Sequence, residues 1–84
     1  MRKFTYITTG TCSKAINFEL DENCRVHNVQ FVGGCPGNTT GISRLVENQK
    51  SEDVIRLLKG IRCGNKTTSC PDQLALALEE KSTL

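Results

Sequence analysis

The chain predicts an α+β fold, a small antiparallel β-sheet of about three strands with three short helices packed on one face. Three observations carry this reading. Apolar residues alternate with polar ones through the first third of the sequence, which is the period of a half-buried strand. Gly33-Gly34-Cys35-Pro36-Gly37-Asn38 then packs three Gly and one Pro into six residues and stops the sheet. Beyond that stretch the apolar spacing becomes helical.

The elements follow in order. Phe4, Tyr6 and Thr8 alternate with Thr5 and Ile7 in the first extended segment. Ile16, Phe18 and Leu20 alternate with Asn17 and Glu19 in the second. Asp21-Glu22-Asn23 is a turn signal, and an extended run from Arg25 to Val32 completes a hairpin, with Cys24 opening its return strand. After the Gly-rich turn, Ile42, Leu45 and Val46 define the apolar face of a first helix. Ser51 is placed to cap a second helix, with Glu52 and Asp53 in its first turn and Val54, Ile55, Leu57 and Leu58 on its apolar side. Gly60 suits the residue that ends it. Ser69 is the natural N-cap of a third helix, with Pro71 in the first turn and Asp72 completing an S-x-x-D capping box. Leu74, Ala75 and Leu78 face the core from there. The 84 residues read as a single domain, 1–84, without an internal repeat or linker.

Composition limits the function classes. Apolar residues make up 37% of the chain, aromatics 5%, and Trp is absent, so the core is thin and a bound metal would add to it. A net charge of +2, with Lys and Arg scattered among acids, disfavours a nucleic-acid partner. No apolar run reaches membrane-spanning length. The basic start, Met-Arg-Lys, is not followed by the apolar stretch of a secretory signal, and a cytoplasmic location is expected. In that compartment Asn38-Thr39-Thr40 and Asn65-Lys66-Thr67 match the glycosylation pattern by chance.

Five cysteines are the chemically informative residues. A reducing compartment and an odd count argue against a disulfide framework and toward metal binding or catalysis. Cys12, Cys35, Cys63 and Cys70 sit in turn-rich contexts at element ends. Cys12 precedes the second strand and Cys35 follows the third, so a hairpin brings them to the same end of the sheet. Cys63 and Cys70 flank one loop. Four thiolates from two such pairs suit a tetrahedral Zn²⁺ site, and soft sulfur ligands suit iron as well. Cys70, at a helix N-terminus, is favoured as thiolate, and Arg62 and Lys66 can offset negative charge. There is no C-x-x-C spacing. Cys24 falls at the opposite end of the hairpin and is read as a bystander.

Other signals are weaker. Gly33-Gly34-x-x-Gly37 leading into a helix has the shape of an anion-binding loop but lacks the Lys of a P-loop, so a tight strand-to-helix turn is the better reading. His27, the sole histidine, lies in a strand far from every candidate nucleophile and is read as a sheet-surface residue. No substrate pocket of the usual size is expected, and no catalytic activity from this chain alone.

Thr68-Ser69-Cys70-Pro71-Asp72 spells the signature of the TSCPD domain family. Gly33-Gly34-Cys35-Pro36-Gly37-Asn38, Gly41-Ile42-Ser43 with Leu45-Val46, and Cys63-Gly64 resemble its small free-standing four-cysteine branch. The resemblance covers about residues 10 to 80 and places the family's cysteines at Cys12, Cys35, Cys63 and Cys70. Similar domains end the cobalamin-dependent (class II) ribonucleoside-diphosphate reductases. The resemblance therefore implies an accessory role in deoxyribonucleotide and DNA synthesis, with a reductase or its reductant as partner and a nucleotide as a compatible ligand. A redox role remains open, with Cys63 and Cys70 as a dithiol serving a reductase disulfide, as does that of a nucleic-acid-binding zinc module. The reductase reaction itself needs a large barrel with a radical-generating cysteine, for which a chain of this length has no room.

Overall fold

A computed structural model describes residues 1–34 and 36–82. Three strands, β1 (Arg2–Ile7), β2 (Ser13–Leu20) and β3 (Val26–Gly33), form an antiparallel sheet in the order β1-β2-β3. Helices α1 (Pro36–Val46), α2 (Ser51–Leu58) and α3 (Cys70–Ser82) follow. The α+β architecture expected from the alternation-then-helix pattern is the observed one.

The alternation decides which side of the sheet is covered. Ile16, Phe18 and Leu20 of β2 are fully buried, and the opposite residues Tyr6, Phe4 and Arg2 of β1 share that face. The Phe4 and Phe18 rings stack at 5.4 Å between centroids, a tilted pair across the two strands. On the other face Thr5 donates to Asn17 Oδ1 (2.7 Å) in a polar row exposed to solvent. Helix α3 lies over the covered face and buries Leu74, Ala75, Ala77 and Leu78 completely. Val46 and Val54 close the core from α1 and α2.

β3 departs from simple alternation for a local reason. Val26 and Val29, three residues apart, are both buried. The ladder to β2 slips by one residue between the Asn17–Gln30 and Glu19–His27 pairs, and Asn28 adopts φ +53° there. The extra residue is a β-bulge, which returns Val29 to the core side, and Asn is among the few residues that tolerate the left-handed backbone.

Several local expectations are corrected. Lys50, not Ser51, occupies the N-cap of α2; it makes no side-chain capping bond, and Ser51 is the buried first residue of the helix. Leu45 and Leu57 are 78% and 66% exposed, so α1 and α2 turn them away from the core. Helix α1 begins at Pro36, inside the Gly-rich stretch, because consecutive Gly33 and Gly34 at φ +82° and +84° make the turn before it. Cys24 does not open β3. It sits in the hairpin turn at φ +59°, donating its N–H to Asp21 and accepting from the Ser51 N–H. Among the described residues, no helix is long and apolar enough to cross a membrane.

Candidate functional site

The element ends that carry the expected thiols meet at one end of the sheet. Cys12 lies in the β1–β2 loop, Cys63 in the α2–α3 loop, and Cys70 is the first residue of α3. All three line one cavity of about 320 Å³, together with Ile42 of α1, Lys66 and Thr11. A cavity of that size sits at the lower edge of the range for ligand sites. The fourth expected ligand, Cys35, lies outside the described residues. The chain next to it passes close to the site, since a β-carbon added to Gly34 would stand 3.6 Å from Cys70 Sγ.

Each thiol has a distinct environment. Cys70 is half-buried, with Sγ 3.0 Å from Thr11 Oγ1 and 3.4 Å from Ser13 Oγ. Burial pushes its thiol pKa up, but the Ser13 and Thr11 hydrogen bonds and the positive Lys66 outweigh it. The net effect is a value below the ordinary 9.0, which favours thiolate. Cys12 is exposed and accepts a contact from Lys66 Nζ at 3.4 Å. Cys63 is exposed too, and its backbone N–H donates to Thr68 O (3.2 Å), closing the loop back on the start of α3. Cys12, Cys63, Cys70 and Cys24 are all free thiols. Cys24 is at the other end of the hairpin, beside Lys50 and Ser51.

The helix start beneath the site is built from the signature residues. Ser69 Oγ accepts the Asp72 N–H (3.1 Å), a side-chain N-cap, and donates to Ile61 O (2.7 Å). Asp72 does not complete a reciprocal box with Ser69. Its carboxylate takes the Thr68 hydroxyl and the Gly60 N–H (2.7 Å). Gly60, at φ +91°, follows Lys59, the C-cap of α2, so one carboxylate joins the end of one helix to the start of the next. Gln73 was not anticipated at all. It is 4% exposed, takes the Thr9 N–H on Oε1 (3.1 Å) and donates from Nε2 to Thr68 Oγ1 (2.9 Å).

The donor types suit a soft metal ion: sulfur ligands around one cavity, one of them favoured as thiolate. Their spacing is a different matter. Among the described residues, no group of three or more His, Cys, Asp or Glu is assembled closely enough to hold an ion. His27 stays out of the site and is less exposed than a surface position implies. Its Nε2 lies 2.7 Å from Asp21 Oδ2 and its Nδ1 2.7 Å from Glu47 Oε2.

A three-stranded sheet under three helices, with free thiols gathered at one sheet end and a Ser-capped helix presenting one of them, defines a small thiol-bearing α+β domain. The family model described as TSCPD domain matches residues 1–82, and the chain belongs to that family. No curated protein and no solved structure matches it.

Proposed function

We propose that the chain is an accessory module that binds one soft transition-metal ion, zinc in the first place and iron as the other candidate, through Cys12, Cys35, Cys63 and Cys70. One observation carries the reading: three of these four positions open onto a single cavity at the end of the sheet. Two features support it. Thr11, Ser13 and Lys66 supply hydrogen bonds and positive charge that favour thiolate at the cavity, and thiolate is the ligand form of cysteine. The chain leading to Cys35 passes beside Cys70. A bound ion would supply a closed tetrahedral anchor for these loops rather than a reactive centre.

The resemblance to reductase C-terminal domains extends the proposal to a partner, a ribonucleotide reductase or its reductant, engaged through the same loops. Loops at element ends are where small domains present function. The test is metal quantification on protein purified anaerobically without added metal. One equivalent of zinc or iron is expected, with metal–sulfur distances near 2.3 Å for zinc. Protein that binds neither ion, even when reconstituted under reducing conditions, refutes the metal reading.

A second reading rests on the spacing just described. Free thiols that, among the described residues, are not gathered closely enough to hold an ion, with Cys70 favoured as thiolate, suit a redox dithiol. Cys63 and Cys70 would form a disulfide, passing two electrons and two protons to a partner disulfide. A closed metal site is redox-inert, so the same metal analysis separates the two.

A further inference from the structure

The thiol loops share a buried polar relay that touches no sulfur. Gln73 Oε1 accepts the N–H of Thr9, in the loop that carries Cys12. Its Nε2 donates to Thr68, whose hydroxyl donates on to Asp72. Asp72 accepts the N–H of Gly60, at the entry to the loop that carries Cys63. Thr68 O accepts the N–H of Cys63 itself, and Cys70 lies two residues beyond Thr68. Thr68, Asp72 and Gln73 are all buried, and every step runs from a donor to an acceptor. Among the described residues no buried side-chain polar atom lacks a partner. A relay satisfied at every member has one arrangement, because breaking a link strands a buried group.

From this geometry we infer that Thr68, Asp72 and Gln73 are positioning residues of the thiol site, holding the Cys12 and Cys63 loops in register with Cys70 before any ion binds. The inference rests on the metal reading above only for what the register serves. It also gives two of the signature residues, Thr68 and Asp72, a task distinct from helix capping. The thiol loops are then set by the fold, and the ion draws together ligands already placed on one cavity.

Thr68 permits a test that separates hydrogen bonding from packing. Its methyl group is also in use, since a β-carbon on Gly10 would stand only 3.0 Å from Thr68 Cγ2. Thr68→Val keeps the shape and removes the hydroxyl, whereas Thr68→Ser keeps the hydroxyl and removes the methyl. Amide hydrogen exchange is followed on the full chain as purified, and cobalt(II) is titrated in with its thiolate charge-transfer absorption as the readout. With Thr68→Val the Thr9 and Gly60 amides are expected to exchange about tenfold faster while those of Leu74 and Leu78 hold. Cobalt(II) affinity is expected to fall on the order of 10- to 100-fold, the usual effect of losing a group that orients ligands. Thr68→Ser restores both. Gln73→Met, which keeps the side-chain length, is the second variant and should release the Thr9 amide even if Thr68→Val folds poorly.

The reverse order, with Ser disruptive and Val silent, overturns the inference and leaves Thr68 as a packing residue. Unchanged Thr9 exchange in Gln73→Met overturns it as well. If the wild type gives no cobalt(II) signature the metal reading fails, yet the exchange measurements still decide the positioning role.

Discussion

The two ends of the sheet are held by different physics. At the thiol end, Thr68, Asp72 and Gln73 are buried and linked to backbone N–H groups of distant loops. At the hairpin-turn end, His27 lies between the carboxylates of Asp21 and Glu47, with Glu47 44% exposed on its side chain. Water competes more with the second cluster than with the first, whose Thr68–Asp72 and Thr68–Gln73 bonds are buried. A buried relay therefore fixes geometry with a large penalty for disruption, whereas a surface ion cluster contributes little and responds to pH. The cysteines divide the same way, with Cys12, Cys63 and Cys70 at the rigid end and Cys24 at the soft one.

The sharpest way to break this contrast is Asp72→Ala. It leaves the buried Thr68 hydroxyl and the part-buried Gly60 N–H without their acceptor, and a loss of about 2–3 kcal/mol is expected in urea unfolding. A loss under about 0.5 kcal/mol, the scale of an ordinary surface substitution, would show that the thiol end is no more rigid than the other. Gly10→Ala comes next. Gly10 has φ +74° and a β-carbon there would stand 3.0 Å from Thr68 Cγ2, so about 1–2 kcal/mol should be lost from backbone strain and crowding together. A silent Gly10→Ala would mean that the Cys12 loop is not pressed against Thr68.

What the sequence revealed follows the range of the interactions involved. Alternation in β2 showed its buried face because Ile16, Phe18 and Leu20 need only a period of two. The cap on α3 was legible because Ser69 and the Asp72 N–H are three residues apart. The other partners of Asp72 were not, since Gly60 reaches it only after two helices pack. Gln73 gave no local signal, because its bond to Thr9 spans 64 positions and a Gln in a helical first turn looks solvent-facing. Val29 was hidden by the bulge at Asn28, which breaks the alternation. Leu45 and Leu57 misled in the opposite direction, having helical spacing but no partner in the core. For the site, the turn contexts of Cys12, Cys63 and Cys70 were enough to bring them to one cavity, whereas the hydroxyls of Thr11 and Ser13 on Cys70 depend on the packing of the β1–β2 loop.

The soft end should show itself through pH. Hydrogen bonds to Asp21 and then Glu47 raise the pKa of His27 above its ordinary 6.5. The Arg25 N–H first, and His27 next, lower Asp21 below 3.8, and the Asn28 N–H and His27 lower Glu47 below 4.5. The signs are opposite for the two kinds of group. The contribution of His27 is complete below pH 6.5 and is lost as pH rises through its raised value. Those of the carboxylates are complete above about pH 4.5 and are lost as pH falls through their lowered values. The cluster thus stabilises most between 4.5 and 6.5. The melting temperature of wild type minus His27→Gln should peak in that window, by a few degrees at most, and shrink as pH rises through the raised His27 value. A difference that is flat from acid to alkaline pH would remove the titrating cluster from the account.

Cys24 supplies the smallest effect and the most specific comparison of the two ends. Its backbone is left-handed, its N–H and C=O are engaged within the turn and with Ser51, and it lines a surface hollow beside Lys50 and Glu52. Asn tolerates that backbone better than Cys and carries no thiol. Cys24→Asn should therefore change stability by less than about 0.5 kcal/mol, in the stabilising direction if at all, because relief of strain is its main consequence. Under the metal proposal it should also leave bound zinc or iron unchanged, whereas Cys70→Ser should remove the ion. Both variants are measured side by side by urea unfolding and metal analysis. If Cys24→Asn emptied the site while Cys70→Ser kept it full, the division of the cysteines between the two ends would be wrong, since no thiol at the hairpin turn can reach a cavity at the opposite end of the strands.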